Sequence, residues 1–339
     1  MTSKYELVSI SRSEWPQLRD LFLTRWPEYI VPFNAVQNCI NWIGHDPSIL
    51  HLQILSLDGV SWRQNGTFIL MWPLLRDLFR HGWPENEVPF NAVQNYIDWI
   101  GIDPNIRHLQ VLGLGDSWRG NGTFIVLDRD ELYFYSLDTS NESLEHALKF
   151  IDWNYSYRIY AILDRHQEAL GRVLNRLNVR YSFLEDTTHQ YRLLKEDVTG
   201  EEEVRPPTGF RIGNLAVHHA KYINARWACR GGGTEYAIAR CIAWNTSVGL
   251  FNEHGELAAW CLLSNLGMIC VLQTEECYRR KGFGELVLRA MVAKLVRRGM
   301  NASASVAVEN FASRKLFQKI GFKTQTLYYT QYKVDRPMK

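Results

Sequence analysis

The chain has 339 residues, 46% hydrophobic and 22% charged, with a formal net charge of +2. These proportions belong to a globular protein long enough for two ordinary domains with cores, and they exclude a disordered or fibrous chain. With no basic tail or domain-wide basic excess, neither nucleic acid nor an anionic membrane is an expected partner.

In chain order, a strand is expected over Tyr5 to Ile10, followed by a tandem duplication. Trp15 to Leu70 and Trp72 to Val126 share PFNAVQN, a Gly-x-Asp-Pro turn, His-Leu-Gln, SWR and NGTFI. Two copies are too few for a solenoid, and each begins inside a helical segment and ends inside a strand, so neither is a self-contained supersecondary unit. One copy is expected to be surplus and to pack poorly.

From Thr123 to Leu194 the pattern alternates as in an α/β lobe. Two strands turn at Asp128-Arg129-Asp130 and are followed by a helix near 142–151 and a strand over 158–163. A helix over 166–177 and strands near 180–184 and 189–194 complete this lobe. The charged, proline-bearing stretch Lys195 to Thr208 is the expected linker, giving an N-terminal lobe of 1–200 and a C-terminal domain of 208–339. The second lobe opens with a strand at 209–213, helices over 215–228 and 234–244, and a hairpin of 247–252 and 256–263.

The chemistry-bearing segment comes next. Leu266 to Gln273 is a nearly continuous apolar run, which suits a strand buried on both faces. It leads into Tyr278-Arg279-Arg280-Lys281-Gly282-Phe283-Gly284, after which Leu288, Met291, Val292, Leu295 and Val296 recur at helical spacing. The first N–H groups of a helix have no partner within it, so a phosphate placed there satisfies them and meets the positive end of the dipole. Glycines at 282 and 284 are expected to let phosphate oxygens approach the main chain. Ser303 to Val308 forms another strand, and Asn310 caps a helix whose small residues Ala312 and Ser313 leave room for a ligand. Gly321 stops that helix and Phe322 opens the last strand.

Residues 208 to about 333 resemble the GNAT acyl-CoA N-acyltransferase fold. RRKGFG matches its pyrophosphate motif, and Asn310-x-x-Ser313-x-x-Leu316-Phe317-x-x-x-Gly321-Phe322 matches the motif that follows. Asn224-x-x-Trp227, Gly231-Gly232-Gly233, Ala259-Trp260 and Thr274 before Tyr278-Arg279 look like the glycine N-acyltransferase-like branch. The resemblance implies a mixed α/β sheet in two lobes, the first a degenerate copy of the second. It also implies acyl-CoA as cosubstrate and transfer to an amine, such as the amino group of glycine or another amino acid, by direct attack in a ternary complex. Coenzyme A is then expected at Leu272, Gln273, Thr274, Arg279, Arg280, Lys281, Gly282, Phe283, Gly284, Asn310, Ser313 and Lys315.

No catalytic residue is assigned. The family's usual glutamate near the start of the fourth strand is Met268 here, and its usual tyrosine after the leucine of the last motif is Phe317. An ammonium acceptor must lose a proton before attack, a step worth about 10²- to 10⁴-fold to a base, and methionine cannot take that proton. The alternative is therefore an acyl-CoA-binding or sensor protein that has lost turnover. His218, His219, Glu235, Tyr328 and Tyr329 are substitute bases whose plainer role is surface or packing, and Trp227 and Trp260 are core residues before they are pocket residues.

Six cysteines without a CxxC pair point to reduced thiols; Cys277, beside the turn, is a structural thiol before it is a reactive one. His51 and His108 are duplicated rather than clustered, so no metal site is expected. No apolar run reaches the ~20 residues that span a bilayer, and MTSKYELVSI lacks a signal-peptide core, so a cytoplasmic chain is expected.

Overall fold

The computed structural model describes residues 7–25, 36–37, 40, 54–57, 69–103, 106, 109–113, 118–198 and 204–334. Three short strands, β1 (Leu7–Ile10), β2 (Ile54–Leu57) and β3 (Ile69–Leu70), form a small antiparallel sheet in the order β1-β2-β3. Everything else is built on one large sheet. Its strands are β4 (Leu109–Leu112), β5 (Phe124–Asp128), β6 (Glu131–Tyr135), β7 (Tyr157–Leu163), β8 (Tyr181–Leu193), β9 (Phe210–Gly213), β10 (Ser247–Asn252), β11 (Leu257–Leu263), β12 (Ile269–Thr274), β13 (Ala302–Ala307) and β14 (Lys323–Val334). Their spatial order is β4-β5-β6-β7-β14-β8-β13-β12-β11-β10-β9.

That order crosses the expected lobe boundary three times. β8 comes from the first half of the chain and pairs with β13, whereas β14, the final strand, pairs with β7. The two long strands pair with each other at the centre. A single strand of 13 residues replaces the two expected near 180–184 and 189–194, because the ladder with β14 runs through the polar Glu185-Asp186-Thr187 interruption.

The ladders show an internal two-fold relation. Leu132 pairs with Ile159, Ile159 with Tyr332 and Tyr332 with Phe183. On the other side Ile269 pairs with Ala304, Ala304 with Tyr191 and Tyr191 with Thr324. The strand directions agree as well, β6–β7 and β12–β13 being the parallel pairs. The N-terminal lobe is thus a copy of the C-terminal one, with Leu132 standing for Ile269 and Glu131 for Met268.

Helices cover the sheet with apolar faces. α1 (Trp15–Leu21), α2 (Met71–Leu78), α3 (Glu87–Ile102), α4 (Glu142–Leu148) and α5 (Asp164–Arg176) belong to the first half. α6 (His219–Arg226), α7 (Thr234–Trp244), α8 (Phe283–Arg297) and α9 (Phe311–Ile320) belong to the second. α6 is shorter than the expected 215–228; its N-terminal side is a turn closed by Ala216 N–H donating to His219 Nδ1 at 2.9 Å. α8 buries Leu288, Met291, Val292 and Leu295 of its apolar stripe, together with Val287, while Val296 of that stripe is only partly buried against the same core. Among the described residues no helix is long and apolar enough to cross a membrane.

Both repeat copies are structured alike where described. Arg19 Nη1 donates to Gln37 Oε1 at 2.8 Å in the first, and Arg76 Nη1 to Gln94 Oε1 at 2.7 Å in the second. Leu55 pairs with Ile69 as Leu112 pairs with Ile125. The second copy begins inside α2 and ends inside β5, as its boundaries lead one to expect, and where described each copy carries a strand pair.

A buried ion pair ties α3 to the exchanged strand β8. Arg192 Nε on β8 lies 3.3 Å from Glu87 Oε2 on α3, with side chains 4% and 1% exposed. Burial raises the Glu87 carboxyl from 4.5 to about 7 against the pull of Arg192 and a hydrogen bond from Asn301. Removing one partner strands the other charge, so Glu87→Ala should cost about 3–5 kcal/mol in denaturant unfolding. Because the folded value lies above 4.5, the folded chain holds the proton more tightly. That contribution is present in full below the unfolded value and is lost as pH rises to the folded one, by about 3 kcal/mol. Glu87→Gln should therefore flatten the fall in unfolding free energy measured from about pH 5 to about pH 8.

Candidate functional site

The site starts where two parallel strands part. β12 and β13 pair at Ile269–Ala304, after which they diverge. Val271 has φ 49°, an uncommon conformation for a β-branched residue, and the register of β12 on β11 shifts between Trp260 and Leu262. This bulge turns the second half of β12 away from β13 and opens a wedge. The expectation of a strand buried on both faces is corrected accordingly: Ile269 is buried, but Cys270 to Thr274 are only half-buried, because their neighbour on one side has moved away.

The wedge points at the cationic turn. Arg279, Arg280, Lys281 and Gly282 are exposed, with Arg280 at φ 61° and Gly282 at φ 82° as the N-cap of α8. The first N–H of that helix to find a main-chain acceptor is Leu286, on Gly282 O at 3.0 Å, so those of Phe283, Gly284 and Glu285 face out of the helix end. A Cβ at Gly282 would meet nothing within 4 Å, as an open anion seat requires. Gly284 has a packing reason besides the one expected. A Cβ there would lie 3.2 Å from Thr274 Oγ1 and 3.6 Å from Leu316 Cδ2, so this glycine lets α8 approach β12 and α9.

Glu285, the one acid in the first turn of α8, is turned aside. It accepts from Lys319 Nζ at 2.5 Å and from Arg289 at 3.0 Å, and the Lys319 bond lowers its pKa. The tie clamps α8 to α9 and keeps the carboxylate bound to cations. Lys281 Nζ sits 5.2 Å from the Tyr278 ring, and no carboxylate within ion-pair distance neutralises the three basic residues among the described residues.

Across the wedge, Asn310 Oδ1 accepts from Ser313 N–H at 3.1 Å as the cap of α9. Ser313 is half-buried and Lys315 is exposed. Gln273 Nε2 donates to Arg226 O at 3.1 Å, while Glu275 Oε1 binds Arg226 Nε at 2.5 Å and accepts from Tyr222 at 2.7 Å, joining the end of β12 to α6. Thus Leu272 to Thr274 end β12 beside the turn 279–284, and Thr274 and Leu316 of α9 both approach Gly284.

The other motif residues are accounted for locally. Asn224 Oδ1 accepts from Thr234 Oγ1 at 2.7 Å, and Thr234 Oγ1 accepts from Gly231 N–H at 3.0 Å, which fixes the loop between α6 and α7. Trp260 is fully buried and Trp227 packs at the edge of the same cluster, as the packing reading expects. His218 and Glu235 are exposed, and His219 Nδ1 is occupied by Ala216; burial lowers the His219 pKa. The side chains of Tyr328 and Tyr329 lie outside the described residues. Cys277 is exposed, whereas burial raises the thiol of Cys241 to about 12.

Met268 and Phe317 are core. Met268 is 6% exposed in a cluster with Tyr96, Trp99 and Leu266, and Phe317 packs edge-on against Phe322 at 4.9 Å between ring centres. Sequence reasoning did not find Glu131, which holds the place of Met268 in the N-terminal lobe. Glu131 Oε1 accepts from Arg158 Nη2 at 2.9 Å, and burial, helped by Asp128 and Asp130, raises its carboxyl to about 7. Nearby, Asp128 pairs with Arg240 of α7, and Asn265 Nδ2 reaches both Tyr96 and Tyr160 hydroxyls at 2.6 Å. Only the register of the two related halves of the sheet marks this residue, and that register is not legible in the sequence.

In the N-terminal lobe the equivalent opening is stitched shut. Arg165, six residues past Ile159 as Asn310 is six past Ala304, donates to Ser136 O at 2.5 Å. Its carbonyl accepts from Asn141, whose Oδ1 meets His166 Nδ1 at 2.6 Å. Asp138 accepts from the Ser140 hydroxyl at 2.7 Å and from the main chain of Ser143 and Ser140 at 3.0 and 2.9 Å, and these bonds lower its pKa to about 2. A carboxylate of the chain itself occupies the seat that an external anion would take.

Residues 247–331 match the family model described as FR47-like protein. Among solved structures, a Drosophila protein is similar over 98% of this chain and 99% of its own, with 17% identity and a TM-score of 0.59. A tandem GNAT protein from the clavulanic acid biosynthesis pathway shares 10% identity over 79% of this chain and 94% of its own, with a TM-score of 0.48. A GCN5-related N-acetyltransferase from Kribbella flavida shares 13% identity over 72% and 96%, with a TM-score of 0.43. At 17% identity the likeness to the Drosophila protein is one of fold alone. The chain has a mixed α/β architecture in two lobes.

Gly284→Val should wedge α8 away from β12. An expected loss of about 1–3 kcal/mol, as for overpacked cores, can be read from the thermal unfolding midpoint.

Proposed function

We propose that the chain is an acyl-CoA-dependent N-acyltransferase with one cofactor site, in the lobe formed by residues 208–339, and that the lobe of residues 1–200 has become scaffold. The observation that carries this reading is the β12–β13 wedge opening onto the cationic turn at the N-terminus of α8. In it, the pyrophosphate of coenzyme A sits on the N–H groups of residues 280–284 with Arg279, Arg280 and Lys281 around it. The pantetheine arm lies along Leu272 to Thr274, pairing its amides with main-chain groups that lost their β13 neighbours. Asn310, Ser313 and Lys315 flank the other side. No metal takes part in this reading, and a cytoplasmic setting, where acyl-CoA is met, is in keeping with it.

An amine bound beside α6 and α7 attacks the thioester carbonyl carbon; a C–N bond forms, the C–S bond breaks, and the thiolate takes up the proton that the amine releases. The acceptor we favour is a small amine such as the amino group of glycine, on the strength of the motif residues Asn224, Trp227 and Gly231 in the α6–α7 region. Positioning and polarisation of the thioester supply the rate in the absence of a base at Met268.

A second reading is supported by Met268 and Phe317, both buried in apolar cores where the usual base and acid would stand. On that reading the chain binds acyl-CoA and senses it without turnover.

Calorimetric titration with coenzyme A, acetyl-CoA, benzoyl-CoA and a long-chain acyl-CoA tests the shared premise. One equivalent should bind per chain, since Asp138 and Arg165 fill the other lobe. Gly282→Asp adds a like charge at the seat while aspartate tolerates the positive φ, so affinity should fall at least about tenfold with the fold unchanged. Two equivalents, or equal binding by the variant, would move the site elsewhere. Release of free thiol from the preferred thioester on adding glycine separates the two readings; binding without release to any amine favours the sensor.

A further inference from the structure

The two-fold relation of the large sheet is complete except at one edge. In the C-terminal lobe β9 covers β10, with Gly213 paired to Gly249 and Ile212 to Leu250, and β10 in turn pairs Val248 with Cys261 on β11. The N-terminal counterparts of β10 and β11 are β4 and β5, which pair Leu112 with Ile125. The counterpart of β9 is missing from that edge: among the described residues β4 pairs with β5 and with no strand outside it.

The missing strand is present elsewhere. β1 pairs Val8 with Ser56 and Leu7 with Leu57, and β2 pairs Leu55 with Ile69. Position for position, β1-β2-β3 has the register of β9-β10-β11. β2 belongs to the first repeat copy and β4 to the second, so β1 has two acceptors of nearly the same sequence, HLQILSL at 51–57 and HLQVLGL at 108–114. After β3 the chain enters α2 directly, whereas β5 turns at Arg129 and Asp130 into β6 and the rest of the lobe.

We propose that the outer edge of β4 is a docking site for the chain's own leading strand β1, and that the first repeat copy competes with it by holding β1 on β2. Docked there, β1 pairs Ile10 with Val111, Ser9 with Leu112 and Val8 with Gly113, and the large sheet gains the strand that its symmetry lacks. An open edge of main-chain donors and acceptors favours such addition, and a three-stranded sheet of short strands holds β1 less firmly than a large one does. Trp15 Nε1 donates to Ile10 O at 3.0 Å, so β1 travels with the start of α1 or gives up this bond.

Cross-linking of the full-length chain tests this, with the exposed Cys229 and Cys277 replaced by serine. Directly opposed strand residues are close enough for a disulfide or a short bis-thiol bridge. Val8→Cys with Ser56→Cys should close within one molecule. Val8→Cys with Gly113→Cys should also close within one molecule, more slowly, because the covalent bond accumulates even a minor state. Val8→Cys with Ser140→Cys, on an exposed turn away from the edge, gives the background rate. A chain lacking residues 16–72, which joins Trp15 to Pro73 as Trp72 is joined to Pro73, should close the 8–113 pair faster than the full chain. The proposal is overturned if the 8–113 pair closes no faster than background, or only between molecules, which would make the edge a dimer surface. Failure of the shortened chain to fold would overturn it too, since β1 and one copy would then not suffice.

Discussion

The exchange of β8 and β14 is the constraint on which the rest of this molecule depends. Each long strand leaves its own half of the chain and sits beside the other, so neither lobe can complete its sheet without the other half. A boundary drawn at the Lys195–Thr208 linker separates the chain but not the hydrogen bonds. It also explains why charge is buried here: Arg192 lies on the exchanged strand, and its partner Glu87 comes from a helix packed over it. An ion pair of this kind contributes little net stability compared with an apolar pair, but a mispaired strand leaves both charges stranded, which penalises wrong registers.

Much of this architecture was legible. The alternation of strands and helices, the caps at Asn310 and Gly321 and the apolar stripe of α8 are local signals, and local signals survive in a single chain. The exchange is a long-range property that no spacing encodes. At the site, a Cβ at Gly282 would meet nothing within 4 Å, in keeping with an open position there, whereas Gly284 also lets α8 approach Thr274 and Leu316, a packing role the motif does not announce. Both glycines lie in the same short motif, and what separates them is the side chain that approaches from another element. The half-burial of β12 was missed for a similar reason. Its apolar run suits a covered strand, but the bulge at Val271 removes the neighbour that would cover it.

The two lobes diverged by opposite losses. The C-terminal lobe has an uncapped helix end beside its wedge, and Met268 at the place that Glu131 takes in the other lobe. The N-terminal lobe keeps a carboxylate at that place, Glu131, with its pKa raised by burial to about 7, but has filled its anion seat with Asp138 and sewn its wedge with Arg165 and His166. On the proposed reading one lobe holds the cofactor, and the other keeps a carboxylate whose pKa burial has raised. Filling a seat with one's own side chain stabilises the lobe at the site where binding would otherwise have to do so, which is the expected course for a domain retained for its edge and not for its ligand. Met268 fits the same account from the other direction: packed with Tyr96 and Trp99 of α3, it serves the contact between lobes, where a carboxylate would carry a desolvation cost of several kcal/mol.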